Sequence, residues 1–83
     1  MSEPPTSTDE VLVDARGLAC PQPVIELATA AGAASVGTRI TVLADDPAAR
    51  VDIPVWCRMR RHRLLDIADT DDAVSFLVEV LET

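Results

Sequence analysis

Eighty-three residues make one domain with a modest core and little area for a deep substrate pocket. Apolar residues reach 48% but aromatics only 2%, so the core must come from Val, Leu, Ile and Ala. Fourteen acidic against seven basic residues give a net charge of −7, and every basic residue is Arg, which excludes DNA binding through a general cationic field.

Residues 1–10 (MSEPPTSTDE) are rich in Pro, Ser, Thr and acid, without periodicity, and read as a flexible tail ahead of a single domain over 11–83. The tail has neither a basic region nor an apolar signal segment. Val11–Val13 is a short β-branched run that predicts a strand ending at Asp14. A loop, Ala15 to Ala19, leads to Cys20. From Pro21 to about Ala34, Val24, Leu27, Ala28 and Ala31 recur at helical spacing, and Gly32 and Gly37 supply stop signals. Thr38 to Ala44 alternates Ile40, Val42 and Ala44 against Arg39, Thr41 and Leu43, a strand with one buried face. Asp46 then offers an N-cap, with Pro47 at the first helical position.

Ala48 to His62 predicts a second helix, with Val51, Val55, Met59 and Trp56 as one face and Cys57 beside it or at its edge. Pro54 either kinks this helix or ends a first turn before a restart near Asp52. Arg63 to Ala68 reads as a strand, Asp69–Asp72 as a turn, and Ala73 to Glu82 as a last strand with Val74, Phe76, Val78 and Val80 on one side. The apolar stretch Val74–Leu81, broken by Ser75 and Glu79, is too short to span a bilayer, and a cytoplasmic protein without membrane contact is expected. The string β-α-β-α-β-β predicts an α+β two-layer sandwich, with two helices on one face of a four-stranded mixed sheet closed by an antiparallel hairpin.

The chemistry concentrates at Cys20. Pro21 fits the first helical position and pushes Cys20 out of the helical region, although Pro23 restricts Gln22 equally and allows a start one or two residues later. Either register puts Cys20 beside a helix N-terminus, where the macrodipole favours a thiolate. The turn holds no carboxylate, since Gln22 is neutral, and Arg16 lies four residues upstream. These observations predict a thiol that titrates below the ordinary value of about 8.5. Gly17 reads as a positive-φ residue that lets the chain turn into the helix.

Cys20 and Cys57, 37 positions apart, and the one His fit no zinc or haem spacing, so no metal and no cofactor is expected. Cys57 reads as core, Asp45 and Asp46 as helix capping, and His62 as a helix-end group rather than a base. Arg58, Arg60, Arg61 and Arg63 fall in a six-residue window, more cation than a helix dipole requires, and predict a surface for an acidic partner.

The segment Asp14–Pro23 (DARGLACPQP) resembles the signature of the TusA/SirA-type sulfur-carrier family. Ala44-Asp45-Asp46-Pro47-Ala48 and Asp52-Ile53-Pro54-Val55-Trp56-Cys57 are similar to its second block, and His62 falls where the family often has His. The resemblance runs from about Val11 to the C-terminus. It implies the same two-layer sandwich, and a Cys20 that takes sulfane sulfur as a persulfide from a cysteine desulfurase or rhodanese-type donor. Cys20 would then relay that sulfur to an acceptor protein in tRNA thiolation, cofactor sulfuration or sulfur metabolism. Such a chain is a carrier with a covalent persulfide intermediate rather than a self-sufficient catalyst. Some members carry a basic residue where this chain has Ala19. The alternative function is a non-transferring interaction or redox-regulatory module on the same fold.

Overall fold

The structure, a computed structural model, describes residues 9–81. Its elements are β1 (Glu10–Ala15), α1 (Gln22–Gly32), β2 (Arg39–Ala44), α2 (Ala49–Arg60), β3 (Arg63–Asp69) and β4 (Val74–Glu79). The strands form one sheet in the order β1-β2-β4-β3. β1 runs parallel to β2, while β4 is antiparallel to both β2 and β3. This is the mixed α+β sandwich expected from the string of elements. Of the expected tail, residues 1–8 lie outside the described residues. Glu10 opens β1, and the Asp9 carbonyl accepts the Arg39 N–H at 2.9 Å. The expected end of the last strand, Glu82, also lies outside the described residues.

Alternation explains which way the sheet faces. Ile40, Val42 and Ala44 are buried, and their β4 neighbours Val78 and Phe76 are fully enclosed. Onto this face α1 lays Pro23, Leu27 and Ala31, and α2 lays Ala49, Ile53 and Cys57. The opposite row, Glu10, Arg39, Glu79 and Arg63, places alternating charges side by side across all four strands on the helix-free face.

Several local expectations change. α2 is continuous through Pro54, neither ending nor restarting there. Pro54 lies in the second turn, so its ring removes a single intrahelical bond, to the carbonyl of the solvent-exposed Arg50. The buried face of α2 is Ala49, Ile53 and Cys57 flanked by Trp56; Val51 and Met59 are 65% and 74% exposed. The helix has two apolar stripes, and Ala49, Ile53 and Cys57 are the one that joins the core. The first helical residue is Ala49, after Ala48, rather than Pro47 after Asp46. Asp46 instead accepts the Ala48 N–H at 2.8 Å, closing an Asx-type turn ahead of the helix. α2 ends at Arg61 in the left-handed region (φ 63°), and the His62 N–H reaches back to the Cys57 carbonyl at 2.9 Å.

The two apolar stripes of α2 separate in a stability experiment. Ile53→Ala should cost about 2–4 kcal/mol in urea unfolding through the cavity it leaves, whereas Met59→Ala should stay within about 0.5 kcal/mol. Equal losses would mean that α2 buries the other stripe.

Candidate functional site

The loop between β1 and α1 carries Cys20, and it is built from two consecutive turns. In the first, the Leu18 N–H bonds the Ala15 carbonyl at 3.3 Å, with Gly17 at φ +82° as its conformation requires. In the second, the Gln22 N–H bonds the Ala19 carbonyl at 2.9 Å, and the Cys20–Pro21 peptide inside it is cis. Pro21 occupies the position before α1, and the Ile25 N–H bonds its carbonyl at 3.0 Å. Cys20 therefore sits one residue outside the N-cap position, still beside the helix start. Gln22, on the first turn, donates to Glu26 at 3.2 Å.

Two carboxylates from the end of β2 hold this loop. Asp45 accepts the Gly17 N–H at 2.9 Å, and Asp46 accepts the Cys20 N–H at 3.1 Å. Expected as helix caps, these residues instead tie the cysteine loop to the β2–α2 corner. Asp46 does both, since its second oxygen takes the Ala48 N–H. A third carboxylate, Asp52 in the first turn of α2, acts on the Cys20 thiol.

These neighbours reverse the expected acidity. Partial burial of Cys20 raises its pKa most, and the carboxylates of Asp52 and Asp46 raise it further. Arg16 does not offset them. It is bound to Asp14 at 2.8 Å and to Asp72 at 3.3 Å, which pins the loop to the β3–β4 turn. The Arg16 guanidinium in turn holds Asp14 down at about 2. The absence of a carboxylate within the turn was legible in sequence; the three that fold brings from residues 45–52 were not.

The comparisons with known proteins agree on one family. The profile described as "Sulfurtransferase TusA" matches residues 11–80. The sulfur carrier protein TusA of Buchnera aphidicola is 32% identical over 73 residues, covering 88% of this chain and 92% of that protein. The sulfur carrier protein TusA of Pseudomonas putida is 39% identical over 70 residues, covering 84% and 85% respectively. The chain belongs to the TusA family. A SirA-like protein from Desulfitobacterium hafniense shares the fold with a TM-score of 0.74 at 23% identity, over 87% of this chain and 99% of that one.

In this TusA-family chain the remaining candidate residues separate. Cys57 is 2% exposed and burial pushes its thiol up to about 11, so it packs as core. The His62 ring lies 5.1 Å from the Trp56 ring and its Nδ1 accepts the Leu81 N–H at 3.2 Å. His62, just past the end of α2, thereby links that helix end to the segment that follows β4. The four-Arg cluster is split. Arg58 and Arg60 are exposed on the last turn of α2 and Arg61 follows it. Arg63 belongs to β3 on the helix-free face, opposite Glu79. At 1.5 Å per residue, Arg58 and Arg60 lie about 9–12 Å along the helix from Asp52. No signal in the sequence marked Asp52 as a neighbour of Cys20, because contact across the β1–α1 loop and α2 depends on how the two helices pack.

The acidity makes a direct expectation. In Cys57→Ser protein, the pH midpoint for Cys20 alkylation by iodoacetamide should lie above the ordinary thiol value of about 8.5. Less thiolate is then present at neutral pH than in free cysteine. A midpoint below that value would contradict the surroundings described above.

Proposed function

We propose that Cys20 is a sulfur-carrying residue: it accepts sulfane sulfur as a persulfide and passes it to an acceptor protein. The observation that carries this reading is a partly exposed cysteine at the start of a helix, on a loop held by Asp45 and Asp46, in a TusA-family chain. The uptake step is Cys20–S⁻ plus R–S–SH giving Cys20–S–SH plus R–S⁻. The donor's sulfur–sulfur bond breaks as a new one forms on Cys20, and R–S⁻ takes up the proton that Cys20 released. No external oxidant or reductant is needed. Gly17, Pro21, Gln22 and Pro23 serve as the rigid frame of the turn.

A persulfide donor of the cysteine desulfurase or rhodanese type suits this chemistry, and the acceptor belongs to tRNA thiolation, cofactor sulfuration or sulfur metabolism, in the cytoplasm. Arg58, Arg60 and Arg61 form a docking edge for an acidic patch on a partner, without Arg63, which lies on the helix-free face. This places the cation edge at one end of α2 and Cys20 at the other, within the breadth of one standard protein interface.

Incubation with a cysteine desulfurase and cysteine should add one sulfur atom to the intact mass of wild type and of Cys57→Ser, and none to Cys20→Ser. Unchanged mass in wild type would leave the interaction-module reading instead. The docking edge has its own test. Arg60→Glu with Arg61→Glu should slow transfer from the desulfurase about tenfold at low salt and remove most of its salt dependence. Loading by small polysulfide should stay unchanged. Equal desulfurase rates for the double variant and wild type would remove the docking role.

A further inference from the structure

The helices cover one face of the sheet and leave the other bare, and the strand register fixes what that bare face displays. Glu10, Arg39, Glu79 and Arg63 lie side by side at one end, and Leu12, Thr41, Leu77 and Asp66 cross the middle. Asp14, Leu43, Ser75 and Ala68 cross the other end. Two features distinguish this face from a plainly solvated one. Leu12 is 65% exposed on β1, with Leu43 and Leu77 partly exposed on the two inner strands. The first row alternates acid, base, acid, base; yet among the described residues ion pairs form at Arg16 and Arg50 and at none of these four.

We propose that the helix-free face is the contact surface for a second copy of this chain, packed face to face about a twofold axis that runs along the strands. The order of the charges selects this axis. Rotation about the strand direction reverses the strand order and keeps each row at its own level. Glu10 then meets Arg63 of the second copy and Arg39 meets its Glu79, so opposite charges face each other along the whole row. An axis across the strands would instead set Glu10 against Asp14 and Arg39 against Leu43. With sheets about 10 Å apart and strands rotated by about 30°, Arg39 and Glu79 on the inner strands stay within reach of each other. Asp14 and Asp66 fall on the outer strands, at the rim, where they keep their water, and Asp14 is already bound to Arg16. The strand count and lengths give a face of roughly 400 Å² per copy, well below that of a permanent dimer. The contact is therefore weak and reversible, and the charge of −7 on each copy opposes it further. Cys20 packs on the helix side of the sheet, so both cysteines stay open in the pair.

Sedimentation equilibrium of the full chain at low salt should show a monomer–dimer equilibrium with a Kd of about 100 µM. Arg39→Glu alone, or Glu79→Arg alone, should raise that Kd about tenfold, because each sets like charges together twice across the axis. An equimolar mixture of the two variants should return to the wild-type Kd, since each supplies the charge that the other lost. Both substitutions in one chain should restore self-association as well. Arg39 and Glu79 are also neighbours within one sheet, and mixing separates the two effects, because a defect inside a chain is not repaired by a second chain. Wild-type protein that stays monomeric up to about 1 mM would overturn the proposal. So would single variants that associate as wild type does, or a mixture that associates no better than either variant alone.

Discussion

The hydrogen bonds that the cysteine-loop backbone donates to Asp45 and Asp46 are the constraint on which the site depends. A six-residue loop between a strand and a helix has several ways to pack, and the thiol's position follows from which backbone donors are held. Asp45 takes the Gly17 N–H and Asp46 the Cys20 N–H, so both ends of the loop are anchored to one corner. That corner is also the entry to α2, since Asp46 takes the Ala48 N–H as well. The start of α2 and the position of Cys20 are therefore set by the same side chain. Asp52, one turn further along, comes to the thiol as a consequence.

The acidic composition takes on a structural meaning in this light. Several of the carboxylates act as ties: Asp14 and Asp72 on Arg16, Asp69 on Arg50, and Asp45 and Asp46 on backbone donors. The surface ion pairs among them are exposed and contribute little each. The backbone bonds matter more, because a loop N–H without a partner would leave the turn undefined. Negative charge collected around a nucleophile opposes ionisation, the reverse of what a helix N-terminus alone would do. Here burial and two carboxylates outweigh the dipole.

Much of the fold was legible in the sequence. Period-two alternation marked the buried side of β2 and β4, and Leu27 and Ala31 marked the inner face of α1. What failed was the face of α2. Its two candidate stripes are both apolar, and only contact with the sheet selects Ala49, Ile53 and Cys57 over Val51, Val55 and Met59. Cys20 and the positive φ of Gly17 could be read from a Gly-x-x-Cys-Pro turn before a helical repeat. The carboxylates that reach Cys20 come from 26 and more residues away, and local charge could not announce them. Arg63 was misgrouped for a related reason: adjacency in sequence hid the change from helix to strand that turns it to the helix-free face.

Amide hydrogen exchange at Gly17 and Cys20, resolved by NMR, addresses the anchoring of the loop most directly. Both amides should be protected in wild type, with Asp45→Ala exposing Gly17 and Asp46→Ala exposing Cys20, while β2 and β4 amides keep their protection. Exchange of Gly17 and Cys20 at unprotected rates in the wild-type protein would contradict the account, because the cysteine loop would then be held by neither carboxylate.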